Sequence, residues 1–189
     1  MKTRILTIAP YQGLKEMINE AISDRDDLEM TIRIGDLANG LEIVRSYDLD
    51  DFDIIISRGG TAKMISANIT IPVVEIEISV YDILRAIKLA ENYSNRFAII
   101  GYPAITNCAK MLCNLLQYDI EIITLDENSE PHQQMELLKN QGYEMVLCDM
   151  VGTSIARELG MNFILITSGK ESVEAALDQA VRFSKIFSI

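Results

Sequence analysis

Along almost its whole length the chain alternates short apolar, β-favouring runs with segments of helical periodicity, and that alternation selects a parallel sheet covered by helices. The spacing predicts strands at Arg4–Ala9, Leu28–Ile34, Asp53–Ser57, Val73–Glu77, Phe97–Gly101, Ile120–Leu125, Met145–Cys148 and Phe163–Thr167. Helices are predicted near Leu14–Arg25, Ala38–Tyr47, Ala62–Ala67, Val80–Asn92, Ile105–Gln117, His132–Asn140, Gly152–Leu159 and Glu171–Phe187. Only short connections fit between so many elements in 189 residues, and no Gly/Ser linker or low-complexity tract interrupts them. A brief polar stretch, Tyr93-Ser94-Asn95, has four β–α units on each side. The expected organisation is α/β in two lobes: a first over residues 1–90, on which the helix of residues 171–189 has the option of packing back, and a second over residues 91–170. Two such open lobes bind ligands where the carboxyl ends of their strands face each other.

The residues that follow each strand are therefore the ones to read for chemistry. After the third strand comes Ser57-Arg58-Gly59-Gly60-Thr61-Ala62, an anion-binding turn feeding a helix N-terminus. Adjacent glycines let backbone N–H groups converge, the helix start adds unpaired amides and partial positive charge, and Arg58 supplies a planar fork for a carboxylate or phosphate. After the first strand, Ala9-Pro10-Tyr11-Gln12-Gly13 reads as a structural turn. Glu75 alternates with apolar neighbours in a strand expected to be covered on both faces, so it is either aimed at the cleft or buried as an ion-pair partner of Arg58. Ser79 and Asp82 have capping-box spacing, which accounts for both without a ligand, and Tyr81 is left to line a cleft. Thr106 and Asn107, Gly152 with Thr153 and Ser154, and Ser168 with Gly169 mark further helix starts rich in glycine or hydroxyls. Together they suggest a concave site suited to a small polyoxygenated anion.

Charge and cysteine usage exclude several functions. A net charge of −11 and a pI near 4.5 oppose a surface built to neutralise nucleic-acid phosphates. The apolar run after the N-terminal basic residues is too short for a secretory core, and no stretch approaches a membrane span, so a cytoplasmic protein without membrane association is expected. Cys108, Cys113 and Cys148 lack metal-ligand spacing, and with His132 as the single histidine no metal is expected. Gly169-Lys170 is followed by Glu171 and has Ile164 where a Walker loop needs its first glycine. The absence of Gly-x-Gly-x-x-Gly after the first strand argues against a dinucleotide, so no cofactor is expected. Receiver chemistry lacks its acidic pair. The enzymatic alternative is a racemase-like activity on a carboxylate with Cys108, near a helix start that would favour its thiolate, as nucleophile or base. Its second thiol should come from the first half, which has none.

The segment Ile56-Ser57-Arg58-Gly59-Gly60-Thr61-Ala62, followed by Ile71-Pro72-Val73-Val74-Glu75-Ile76 and Ser79-Val80-Tyr81-Asp82-Ile83-Leu84-Arg85-Ala86, resembles the N-terminal sensory domain of the propionate-catabolism activator (PrpR) family. Ser168-Gly169-Lys170-Glu171-Ser172-Val173 resembles that family's last strand-to-helix turn, and the likeness runs over essentially the whole chain. It implies two Rossmann-like lobes, each a parallel four-stranded sheet with helices on both faces, with a periplasmic-binding-protein-like cleft. It further implies a sensor for a small organic anion such as a methylcitrate-like acid, placed ahead of an ATPase module and a DNA-binding module in sigma-54-dependent activators, with homodimerisation an option. Lacking both modules, the chain is either a fragment or a free-standing sensor. On this reading Arg58 with the amides of Gly59, Gly60 and Thr61 holds a carboxylate from the first lobe, beside Glu75, Ser79 and Tyr81. Thr106, Gly152, Thr153 and Ser168 reach it from the second, and closure of the lobes carries the signal.

Overall fold

The computed structural model describes residues 1–187. Its elements run β1 (Thr3–Ala9), α1 (Gln12–Ile22), β2 (Leu28–Ile34), α2 (Leu37–Arg45), β3 (Ile54–Arg58), α3 (Gly59–Asn68), β4 (Val73–Ile76) and α4 (Val80–Glu91). They continue with β5 (Phe97–Gly101), α5 (Pro103–Leu116), β6 (Glu121–Thr124), α6 (Pro131–Asn140), β7 (Met145–Cys148), α7 (Met150–Glu158), β8 (Asn162–Leu165) and α8 (Lys170–Phe187). The expected strands and helices are all present, most shifted by a residue or two at their ends. A short 3₁₀ turn, Leu49–Asp51, precedes β3.

The chain forms two compact units, Met1–Glu77 together with the segment from Ser168 onward, and Ile78–Thr167. The border therefore differs from the expected division at residue 90. α4 belongs to the second unit, where Ile83, Ala86, Ile87 and Ala90 share a core with Phe97, Ile99 and Leu147. The polar stretch Tyr93–Asn95 marks only a solvent-facing helix-to-strand turn, because polarity reports exposure and not which sheet a helix covers. The second border moves as well: Ser168 and the loop before α8 belong to the first unit.

The first unit is a parallel sheet of order β2-β1-β3-β4. Strand side chains alternate between its faces. Ile5, Ala9, Ile54 and Ile56 pack with Leu14 and Ile18 of α1 and with Val173, Leu177 and Ala180 of α8. Leu6, Ile8 and Ile55 pack on the other face with Leu41 and Val44 of α2 and Ile65 of α3. Burial on both faces explains why β1 and β3 are near-continuous apolar runs. Each fully buried isoleucine contributes about 1.5–3 kcal/mol of transfer free energy. The second unit repeats the plan as β6-β5-β7-β8, with α4 and α5 on one face and α6 and α7 on the other.

In an order of this kind the chain leaves β1 toward one edge for β2 and then crosses to the other side for β3. The loops leaving β1 and β3 diverge, opening a crevice at the strand carboxyl ends. In the first unit that crevice is bounded by Pro10-Tyr11 and Arg58-Gly59, since Thr7 pairs with Ile56 and the two strands end side by side.

Candidate functional site in the first unit

Arg58 is the last residue of β3 and the N-cap of α3, with extended backbone at φ −139° and ψ 146°. It is only 6% exposed, and a guanidinium at that depth requires partners. Its Nε donates to Ser168 Oγ at 2.7 Å, and its Cζ lies 5.7 Å from the centroid of the Tyr11 ring. The Ser168 amide in turn donates to the Tyr11 hydroxyl oxygen at 3.1 Å. Tyr11, the N-cap of α1, thus connects the β1 loop to the segment entering α8 and holds its ring within cation–π range of the guanidinium. Tyr11 is the residue that sequence reasoning assigned to a plain turn. The signal available was its position directly after β1, at the switch point.

Gly59 follows with φ +58°, a left-handed conformation that only glycine adopts cheaply. The conformation turns the chain from strand into helix within one residue. Thr61 is buried, and its hydroxyl is committed: it donates to Asp36 Oδ1 at 2.8 Å and accepts from the Leu37 amide at 2.9 Å. Glu75 lies opposite Ser57 in the β3–β4 ladder. Burial pushes its carboxyl above the ordinary glutamate range, while Lys63, the Gly59 amide and Arg58 pull it back and Glu77 adds to the rise. Glu75 thus stands beside the α3 N-terminus with its pKa raised, and the guanidinium Nε of Arg58 is turned to Ser168.

Arg58, Gly59, Gly60, Thr61, Glu75 and Ser168 thus all fall in the first unit. For Ser168 this is a correction, because it was expected to reach a ligand from the second lobe. The cause is the final crossover, which returns the chain to the first sheet before α8 begins.

Ser79, Tyr81, Thr106, Gly152 and Thr153 lie in the second unit. Ser79 caps α4 in a reciprocal box with Asp82, and Tyr81 is 60% exposed. Thr106 is fully buried, accepts from Thr124 Oγ1 at 2.9 Å and donates to the Tyr102 carbonyl at 3.4 Å. The Gly152 amide donates to the Asp149 carboxylate at 2.9 Å. A Cβ on Gly152 would sit 2.6 Å from Cys148 Cβ, so close packing on β7 accounts for this glycine. The Thr153 hydroxyl donates to the Met150 carbonyl at 2.7 Å. Three expected second-lobe donors are therefore occupied by local structure. A helix start needs caps whether or not it meets a ligand, and sequence does not separate the two uses.

Burial acts on all three thiols in the same direction. Cys108 lies in the second turn of α5, half-buried, and burial together with the nearby Asp82 carboxylate raises its pKa. This reverses the expectation that the helix start would favour a thiolate. Burial also raises Cys113 and, with Asp149, strongly raises Cys148. Among the described residues no helix is long and apolar enough to cross a membrane.

Two parallel four-stranded sheets, each with helices on both faces, define an α/β protein of two doubly wound units, with a buried arginine at the switch point of the first. A family profile described as propionate catabolism activator matches residues 24–188. The chain belongs to that family, in its N-terminal sensory domain, and so has a regulatory sensing role. Among solved structures, an NtrC family transcriptional regulator from Clostridium acetobutylicum is 22% identical over 98% of each chain, with a TM-score of 0.81. That likeness establishes the shared fold. The transcription regulator CcpA of Lactococcus lactis is 15% identical over 98% of this chain and 92% of its own, with a TM-score of 0.49. A periplasmic solute binding protein of an ABC transporter from Actinobacillus succinogenes 130z, with bound D-allose, is 12% identical over the same shares, with a TM-score of 0.48. Neither distant structure adds to the assignment. No curated protein shows a significant match to the chain.

Proposed function

We propose that this chain is the ligand-sensing, non-catalytic domain of a sigma-54-dependent transcriptional activator, and that its ligand is a small organic anion of the methylcitrate-like carboxylate class anchored at Arg58. The observation that carries this is the buried Arg58 at the strand-end crevice of the first unit, supported by Tyr11 and Ser168 and followed by the left-handed Gly59. Sheets of this order bind ligands at this point, and an arginine fork next to a helix N-terminus suits a carboxylate. A net charge of −11 is consistent with a domain that leaves DNA binding to another module. In the longer protein the partners are an ATPase module and a DNA-binding module, in the cytoplasm, with a second copy of the chain as a further candidate.

Isothermal titration with citrate, 2-methylcitrate, malate and inorganic phosphate tests the proposal, in parallel with Arg58→Ala. An anion at about 100 times its Kd adds about 2.7 kcal/mol to the folded state and raises Tm accordingly. Binding of a tricarboxylate that is lost in Arg58→Ala is the expected result. If none of these anions binds a well-folded protein, Arg58 is a structural tie between β3 and the α8 entry. Binding that survives Arg58→Ala places the anion elsewhere.

A further inference from the structure

Asp36 has the extended backbone of an N-cap residue at the start of α2, yet its side chain makes no capping bond to its own helix. Its carboxylate instead receives the Thr61 hydroxyl of α3 at 2.8 Å. The same hydroxyl oxygen accepts the Leu37 amide at 2.9 Å, so one side chain serves as donor and acceptor between two helix starts. Leu37 has φ +46°. For a leucine that left-handed conformation is strained, and it persists only where surrounding interactions hold it.

The packing around these residues is as close as the hydrogen bonding. A Cβ on Gly40 of α2 would lie 2.8 Å from Thr61 Cγ2, which shows how near the two helices approach. Leu37 Cδ2 lies 3.2 Å from where a Cβ on Gly60 would be. The strained leucine therefore sits over the second glycine of the turn and is fixed by the residue that follows it. We propose that Asp36, Leu37 and Thr61 form a latch between the β2–α2 and β3–α3 turns that positions the Gly59–Gly60 backbone. Through that backbone it sets the geometry of the anion site, and to this extent the inference rests on the function proposed above. The three are positioning residues: their contacts are to one another and to the turn.

Thr61→Val removes the hydroxyl while keeping the branched shape, and Thr61→Ser keeps the hydroxyl. Amide hydrogen exchange followed by NMR on the ¹⁵N-labelled chain reads Leu37, Gly59 and Gly60 directly, with Gly160 of the second unit as the reference. Thr61→Val is expected to speed exchange by on the order of tenfold at Leu37, whose amide loses its acceptor, and to speed it at Gly59 and Gly60 through loosening of the turn, with Gly160 unchanged and Thr61→Ser close to wild type. Equal exchange at Gly59 and Gly60 in wild type and Thr61→Val overturns the latch, as does Thr61→Ser behaving like Thr61→Val. If Thr61→Val does not fold, Asp36→Ala is read at the same amides with the same two outcomes. Citrate titration of the same variants separates the two proposals. A wild-type chain that fails to bind citrate counts against the anion site and leaves the exchange result to decide the latch. Citrate binding that is unweakened when Thr61→Val has loosened the turn overturns the link between latch and site.

Discussion

Gly59 and Gly160 make a matched pair that separates the stability of a turn from its use. Gly59 has φ +58° and Gly160 φ +69°, and a Cβ added to either would meet nothing within 4 Å. Alanine at both positions is thus opposed by backbone conformation alone. That opposition is about 1–2 kcal/mol for a left-handed L-residue, offset in part by about 0.4–1 kcal/mol from the stiffer unfolded chain. The net cost is about 1 kcal/mol at each site, which for a chain of this size lowers Tm by roughly 2–4 °C. Both variants should therefore melt a few degrees below wild type by differential scanning calorimetry. Citrate titration should then distinguish them: Gly59→Ala weakens binding and Gly160→Ala, in the turn before β8, does not. A Gly59→Ala protein as stable as wild type refutes the conformational argument. Equal affinities of the two variants refute the assignment of this turn to the ligand.

Three further outcomes follow from particular residues. Glu75→Gln should raise stability at neutral pH. The folded-state pKa of Glu75 is raised by burial, so the wild type loses stability as pH climbs from the ordinary glutamate value through the raised one, and the glutamine variant does not; Tm measured from about pH 4 to about pH 8 should diverge upward for the variant. Asp53→Asn should act in the opposite sense. The Asp53 carboxyl is held below its ordinary range chiefly by its hydrogen bond with Arg4, so its contribution is present above the unfolded pKa and disappears as pH falls through the depressed one; a Tm difference that persists unchanged in strong acid contradicts this. Ser79→Ala should cost about 0.5–2 kcal/mol through loss of the α4 capping box, read as a lower denaturant midpoint of the second unit, and a midpoint equal to wild type would show that Asp82 alone holds the helix start.

The sequence determined the elements and their order because each follows from short-range periodicity. β1 and β3 are apolar on both faces, Ser79-x-x-Asp82 closes the capping box it spells, and Arg58-Gly59-Gly60 turns from strand to helix where the glycines stand. Strand order was decided by tertiary structure, and with it the neighbourhood of Arg58. Tyr11 and Ser168 stand 47 residues before and 110 residues after Arg58, and only the placement of β3 beside β1, with the return of α8 to the first sheet, brings the three together. The same crossover moved Ser168 from one lobe to the other. α4 changed units for a related reason: its apolar stripe specifies that a face is buried, and either sheet would satisfy it. Thr106, Gly152 and Thr153 read alike in sequence as ligand donors or as parts of helix starts, since both uses require the same hydroxyls and amides. The folded chain commits them to partners three or four residues away, with Thr124 as a second partner of Thr106, while tertiary packing gave Thr61 a partner, Asp36, that no local pattern connects to it.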